Sequence, residues 1–313
     1  MITAKDALKL INTPDEKTFE LLVEANKLRQ KYKGNKVKLC AIVNAKSGKC
    51  SENCSFCAQS AHFKTAVPTY PLMTKEEIVN AAKASEKNMS ATCFSIVTSG
   101  KSAKTKPMLD TLGQALQAIN KETGLNRCVS VGTLTKEAIL ELKANGLKRL
   151  HHNLETAESF FDQVCTTHTF AERLQTIKLA KEAELEVCSG GIFGLGESLE
   201  QRVELAMMLR DLEVESVPIN ILHPVPGTKA AENYKPMTPL EVLRLIATYR
   251  HIMPKADIGV FGGREKALGE LQPLMFLAGA NVTLVGDYLT TKGQEASKDL
   301  KMIKDLGLEI DKL

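Results

Sequence analysis

Cysteine is the residue type in this chain best placed to do chemistry. Eight cysteines stand at positions 40, 50, 54, 57, 93, 128, 165 and 188 of 313 residues. Cys50, Cys54 and Cys57 form a C-x3-C-x2-C run. Structural zinc sites use four ligands, usually as paired short knuckles. Here three thiolates cluster, and the nearest further donor, His62, does not fall at knuckle spacing. Three soft thiolates suit an iron–sulfur cluster. Three ligands on a four-iron cluster leave one iron open to the nitrogen and oxygen donors of a small molecule. An unusual zinc site is the alternative. The other five thiols do not read as a secreted disulfide framework. In a reducing compartment such thiols are metal ligands or catalytic groups more often than cystines.

These residues need a frame, and the sequence supplies a beat of short β-rich runs and helical stretches. Strands are expected over Val37–Asn44, Ala91–Thr98, Arg127–Val131, Lys148–Asn153, Val187–Phe193, Val217–Leu222, Asp257–Phe261 and Asn281–Val285. Several are continuous apolar runs, as strands buried on both faces are. Helical spacing lies between them, as in Phe170, Leu174, Ile177 and Ala180. Thr74 with Glu77, Thr169 with Glu172, Ser198 with Gln201 and Thr238 with Glu241 fit the capping box. Pro239 sits where a first-turn proline is tolerated, and Asn145-Gly146 reads as a helix stop. Eight strand–helix alternations predict an α/β fold, a single (βα)8 TIM-type barrel. An open doubly wound sheet is the alternative. Residues 1–35 read as two amphipathic helices forming an N-terminal extension, with 36–313 as the barrel domain.

Composition narrows the class. Hydrophobic residues are 43% and charged residues 25%, ordinary for a globular protein with a sizeable core. Lys+Arg 41 against Asp+Glu 37 gives a net charge of +4, too mild and dispersed to argue for nucleic acid. No apolar run reaches a membrane span. The N-terminus lacks the apolar stretch and cleavage site of a signal peptide. A cytoplasmic protein without membrane or nucleic-acid partners is expected.

The C-x3-C-x2-C run, with Phe56 before its last cysteine, resembles the signature of the radical S-adenosylmethionine (SAM) superfamily. That resemblance implies a [4Fe–4S] cluster on Cys50, Cys54 and Cys57. Its open iron chelates SAM, which one electron cleaves to a hydrogen-abstracting 5′-deoxyadenosyl radical. Further motifs resemble the biotin synthase family in order and placement. They are CSENCSFCAQSAHFKT, His152-Asn153-Leu154-Glu155, Val187-Cys188-Ser189-Gly190-Gly191, Gly194-Leu195-Gly196-Glu197, Ser216-Val217-Pro218-Ile219-Asn220 and Thr290-Thr291. The likeness runs from about residue 35 to 310. It implies sulfur insertion into dethiobiotin, with the sulfur coming from an auxiliary iron–sulfur cluster inside the barrel.

The residues themselves are compatible with a second cluster. Cys93, Cys128 and Cys188 fall on the second, third and fifth expected strands, and inward side chains of such barrels converge in layers. Buried packing is the alternative for each. The resemblance makes these three the auxiliary ligands. The familiar form of the family adds an arginine, and the matching position here is Gly259, which cannot ligate. Cys40 stands on the first strand where that form usually has serine. We therefore expect a swap, with Gly259 vacating volume and Cys40 supplying a fourth thiolate; the chain resembles the variant of the family that lacks the arginine ligand, which implies a four-iron auxiliary cluster carrying an extra sulfide. Cys165 matches no ligand position and reads as a packed or bystander thiol.

The resemblance also assigns polar contacts. Phe56, Glu155, Arg173, Ile192 and Asn220 match SAM-pocket positions, Glu155 where the family more often has Asp. Arg173 can pair a carboxylate through two N–H groups. Asn153, Asn220, Thr290 and Thr291 match substrate positions, and His151 replaces a family asparagine. A flavodoxin or ferredoxin electron donor and a homodimer are implied by the family alone. Two alternatives stay open. One is a biotin-synthase-like enzyme of the methylornithine synthase or hydrogenase maturase type. The other is a non-enzymatic, zinc-stabilised binding protein.

Overall fold

The computed structural model describes residues 2–232 and 234–311. Among the described residues ten strands occur, with helices between all of them except β5 and β6: β1 (Lys36–Lys46), β2 (Cys93–Thr98), β3 (Asn126–Ser130), β4 (Arg149–His151), β5 (Glu186–Cys188), β6 (Gly191–Phe193), β7 (Ser216–Ile221), β8 (Asp257–Val260), β9 (Val282–Leu284) and β10 (Glu309–Ile310). Neighbours pair in parallel, and β9 returns to β1 with Lys38 opposite Val282 and Cys40 opposite Leu284. The ring therefore closes, and the expected TIM-type barrel is the fold. β5 and β6 share one of its eight positions.

Two details differ from expectation. The run expected as one strand, 187–193, breaks between β5 and β6. The Ser189 N–H donates to the Ser216 carbonyl, 2.9 Å away. A continuous ladder would next use the N–H of residue 218, which is Pro218 and has none. Gly190 also packs so closely that a Cβ there would lie 2.0 Å from the Pro218 carbonyl oxygen. The second difference is β10, too short to show a period, which pairs with the start of β1 at Lys36 and Val37.

Side chains along β1 alternate. Val37, Leu39 and Ala41 join the main apolar cluster between barrel and helices, whereas Cys40 and Ile42 face the barrel cavity. All four expected capping boxes are present, each threonine or serine accepting from the third helical N–H. Asn145 caps its helix and Gly146 follows at φ +97°. The N-terminal helices Ala4–Ile11 and Thr18–Lys33 pack on the helix Pro239–Ile252. From the second of these, Lys33 reaches Asp257 at 2.9 Å, and Lys38 meets the same carboxylate at 2.7 Å. No helix among the described residues is long and apolar enough to cross a membrane.

Candidate active site

The strands bring four scattered cysteines to one place. Cys40 pairs directly opposite Cys93, Cys128 lies opposite Ser95, and Cys188 lies opposite His151. All four line one cavity of about 320 Å³ inside the barrel. The Cys40 thiol hydrogen-bonds to Cys93, which holds Cys93 below the ordinary thiol range; burial opposes this and Arg149 assists it. The same contact and burial push Cys40 up. Burial also pushes Cys128 well up and Cys188 to about 11. Four thiols round one buried guanidinium are a donor set that suits a thiophilic, anionic metal cluster.

An aromatic ring occupies the volume beside Gly259. A Cβ there would meet the Phe261 ring at 2.7 Å. Phe261, Val282 and Leu284 form a small inner cluster against which Cys40 packs. Aromatic packing, with Cys40 beside it, fills the space.

The cysteine loop follows β1 and bounds a second cavity of about 190 Å³, lined by Cys50, Cys54, Cys57 and Arg173. Phe56, Cys57, His151, Asn153 and Glu155 wall both cavities. Ile192, Asn220, Thr290 and Thr291 line the inner one. Every residue expected at the site therefore faces one of two adjoining chambers.

Backbone and side chains hold this boundary tightly. Glu155 has φ +72°, a left-handed conformation that a non-glycine residue adopts at a cost of about 1–3 kcal/mol. It is kept there because its N–H donates to the Gly190 carbonyl and its own carbonyl accepts from Ile192 at 2.8 Å. Gly191 sits against it, with a Cβ position only 2.5 Å from the Glu155 carbonyl oxygen, so no larger residue fits. Asn153 accepts from the Gly190 N–H at 3.1 Å and lies 3.1 Å from His151 Nε2. Asn220 accepts from the Gly262 N–H at 3.0 Å and donates to the Gly191 carbonyl at 3.3 Å, tying β6 to the end of β8.

Arg173 is no solvated surface charge. It donates to the Asn153 carbonyl at 2.7 Å, to Glu155 at 2.9 Å and to His168 Nε2 at 3.0 Å. With Nε2 accepting, the His168 proton lies on Nδ1 and is donated to Glu52, 2.7 Å away. Glu52 belongs to the cysteine loop, so this relay fixes that loop to Arg173. Sequence reasoning missed it because its members are far apart in the chain. Cys165 is packed, as expected, but it lies 3.7 Å from Cys54 and 3.2 Å from His168 Nδ1. The Cys54 thiol donates to it, drawing Cys165 down to about 3 and pushing Cys54 up. Among the described residues, Cys54, Cys165 and His168 form the one trio with ligand atoms all within 4.8 Å.

A parallel barrel with a three-cysteine loop after its first strand defines the radical SAM class, and the Radical SAM superfamily model matches residues 45–209. The Biotin and Thiamin Synthesis associated domain matches residues 218–309. The chain belongs to the biotin synthase family. It is 48% identical over 307 residues to a biotin synthase of Geotalea uraniireducens, covering 98% of this chain and 93% of that one. It is 48% identical over 309 residues to one of Clostridium acetobutylicum, covering 98% and 94%. Among solved structures, methylornithine synthase superposes with a TM-score of 0.86 at 20% identity over 99% of this chain and 94% of that one. An FeFe-hydrogenase maturase from Carboxydothermus hydrogenoformans gives 0.83 at 19% identity, over 99% and 76%. At those identities the likeness is one of fold.

Proposed function

We infer that this protein converts dethiobiotin to biotin by radical SAM sulfur insertion. The observation that carries the reading is the pair of adjoining chambers, one bounded by the three-cysteine loop and the other by four strand cysteines. Cys50, Cys54 and Cys57 would hold a [4Fe–4S] cluster that, with SAM bound, supplies one-electron cleavage and hydrogen abstraction. Cys40, Cys93, Cys128 and Cys188 would hold an auxiliary iron–sulfur cluster that supplies the sulfur atom, the form of the family without an arginine ligand. Hard radical chemistry belongs to such cofactors, and the protein positions them and keeps water out.

The chain's own groups do the positioning. Arg173, held by Glu155, His168 and Asn153, presents a fixed cation to the SAM carboxylate. Glu155 faces the SAM ribose, Phe56 and Ile192 give its adenine apolar walls, and Asn220 contacts it near the substrate. Asn153 and Asn220 offer amides to the ureido ring of dethiobiotin. Thr290 and Thr291 offer hydroxyls to its tail carboxylate at the C-terminal face, where barrel active sites form. Residues 1–35 serve as a helical extension to the catalytic barrel of 36–313; Met1, Lys312 and Leu313 lie outside the described residues. A reduced flavodoxin or ferredoxin delivers the electron, and the protein works as a homodimer in the cytoplasm.

Anaerobic reconstitution followed by assay with dethiobiotin, SAM and a low-potential reductant tests this. 5′-Deoxyadenosine and biotin should appear together. Deoxyadenosine with no sulfur-containing product would transfer the chain to a mutase or maturase activity. A colourless, zinc-loaded protein would end the enzymatic reading.

A further inference from the structure

The inner chamber contains one strong charge that the proposed chemistry has not used. Arg149, on β4, is 6% exposed. Among the described residues lining the 320 Å³ cavity it is the single lysine or arginine. Cys128 is its direct partner across the β3–β4 ladder. Cys40, Cys93 and Cys188 line the same cavity as Arg149 and Cys128. From the far side, Glu186 fixes the guanidinium, accepting from Nε at 2.9 Å and Nη2 at 2.7 Å. Glu186 is 48% exposed in its side chain, so water screens much of its charge, whereas Arg149 is enclosed.

We propose that Arg149 is the counter-charge of the four-cysteine nest: a positioning residue whose fixed, buried cation permits an anionic iron–sulfur core to reside in the barrel and sets its reduction potential. This rests on the auxiliary-cluster reading above. The physical ground is that charge taken out of water must be balanced nearby. Cluster potentials follow net charge, burial and hydrogen bonding around the sulfurs. A guanidinium stays charged at every accessible pH, which suits it to a permanent electrostatic role. Salt-bridge packing alone would make Arg149 and Glu186 equivalent members of one pair. A counter-charge role makes them opposite in effect.

Full-length wild type, Arg149→Lys, Arg149→Met and Glu186→Gln are reconstituted anaerobically with iron and sulfide. Iron is counted, and each cluster is titrated with reductant and followed by electron paramagnetic resonance. Wild type and Arg149→Lys should hold two clusters. Arg149→Met should either lose the second cluster's iron or show at least a tenfold fall in its reduced fraction at fixed ambient potential, about 59 mV for one electron. The first cluster should titrate unchanged. Glu186→Gln, which removes the opposing negative charge and leaves the guanidinium, should shift the second cluster the other way. A loaded Arg149→Met with unchanged potential, or a Glu186→Gln shift in the same sense as Arg149→Met, overturns the assignment. Should Arg149→Met not fold, Glu186→Gln decides: a raised potential supports the proposal and an unchanged or lowered one overturns it. Wild type with iron for one cluster only would instead overturn the auxiliary-cluster reading, and the role of Arg149 would fall with it.

Discussion

Replacing Cys40 with serine keeps the side-chain size and removes one sulfur ligand. On the proposed reading, Cys40→Ser loses the auxiliary cluster's iron and keeps that of the first cluster, so iron per chain falls by about half. Iron analysis with no iron lost would reject Cys40 as a ligand. His168 accepts from Arg173, the proposed SAM anchor, and is backed by Glu52. His168→Gln should raise KM for SAM about tenfold, the worth of one charge-assisted hydrogen bond, with kcat little changed. A fall in kcat at unchanged KM would contradict that positioning role. The cysteines were legible in the sequence because thiols are few and their spacing is informative. Arg149, His168 and Glu52 were not, because a charged or polar residue acquires such a role only through partners brought in by folding. Glu52 and His168 are separated by 116 positions.

Helices announced themselves through their ends. A capping hydroxyl and its partner lie three residues apart, so local sequence suffices to find them. Thr169 caps the helix Phe170–Glu182 that carries Arg173. Thr169→Ala should cost about 1 kcal/mol in chemical denaturation. Strands were legible in position and less so in continuity, since the gap between β5 and β6 depends on a proline in the neighbouring strand. The link between the N-terminal helix and the barrel was hidden altogether, because Lys33 and Asp257 meet only after the ring closes. Burial pushes the Asp257 carboxyl up, but Lys38 and Lys33 outweigh it and hold it well below the usual carboxylate range. Its stabilisation is therefore complete above an unfolded value of about 3.9 and is lost as pH falls from there toward the folded value. Asp257→Asn should destabilise the fold by about 3 kcal/mol at pH 7. The difference from wild type should shrink below about pH 4; a gap constant with pH would remove the charge pairing as its cause.

At the scale of the whole molecule, the barrel is a closed ring with an apolar layer outside it and a cavity inside it where sulfur and polar groups meet apolar side chains. Strand–helix alternation was enough to anticipate that architecture, because it depends on periodicity along the chain. Which inward residues meet at one height depends on strand stagger, and the chain's linear order does not contain it. SAM at a hundred times its Kd should add about 2.7 kcal/mol to the cluster-loaded protein and nothing to the metal-free one, read as a rise in melting temperature. Equal stabilisation of both forms would place SAM binding elsewhere. Phe56, Cys57, His151, Asn153 and Glu155 belong to both chambers. A guest in either compartment therefore leans on atoms that its neighbour also needs. Their affinities are bound into one thermodynamic square, and whatever factor the first lends the second must be returned in equal measure.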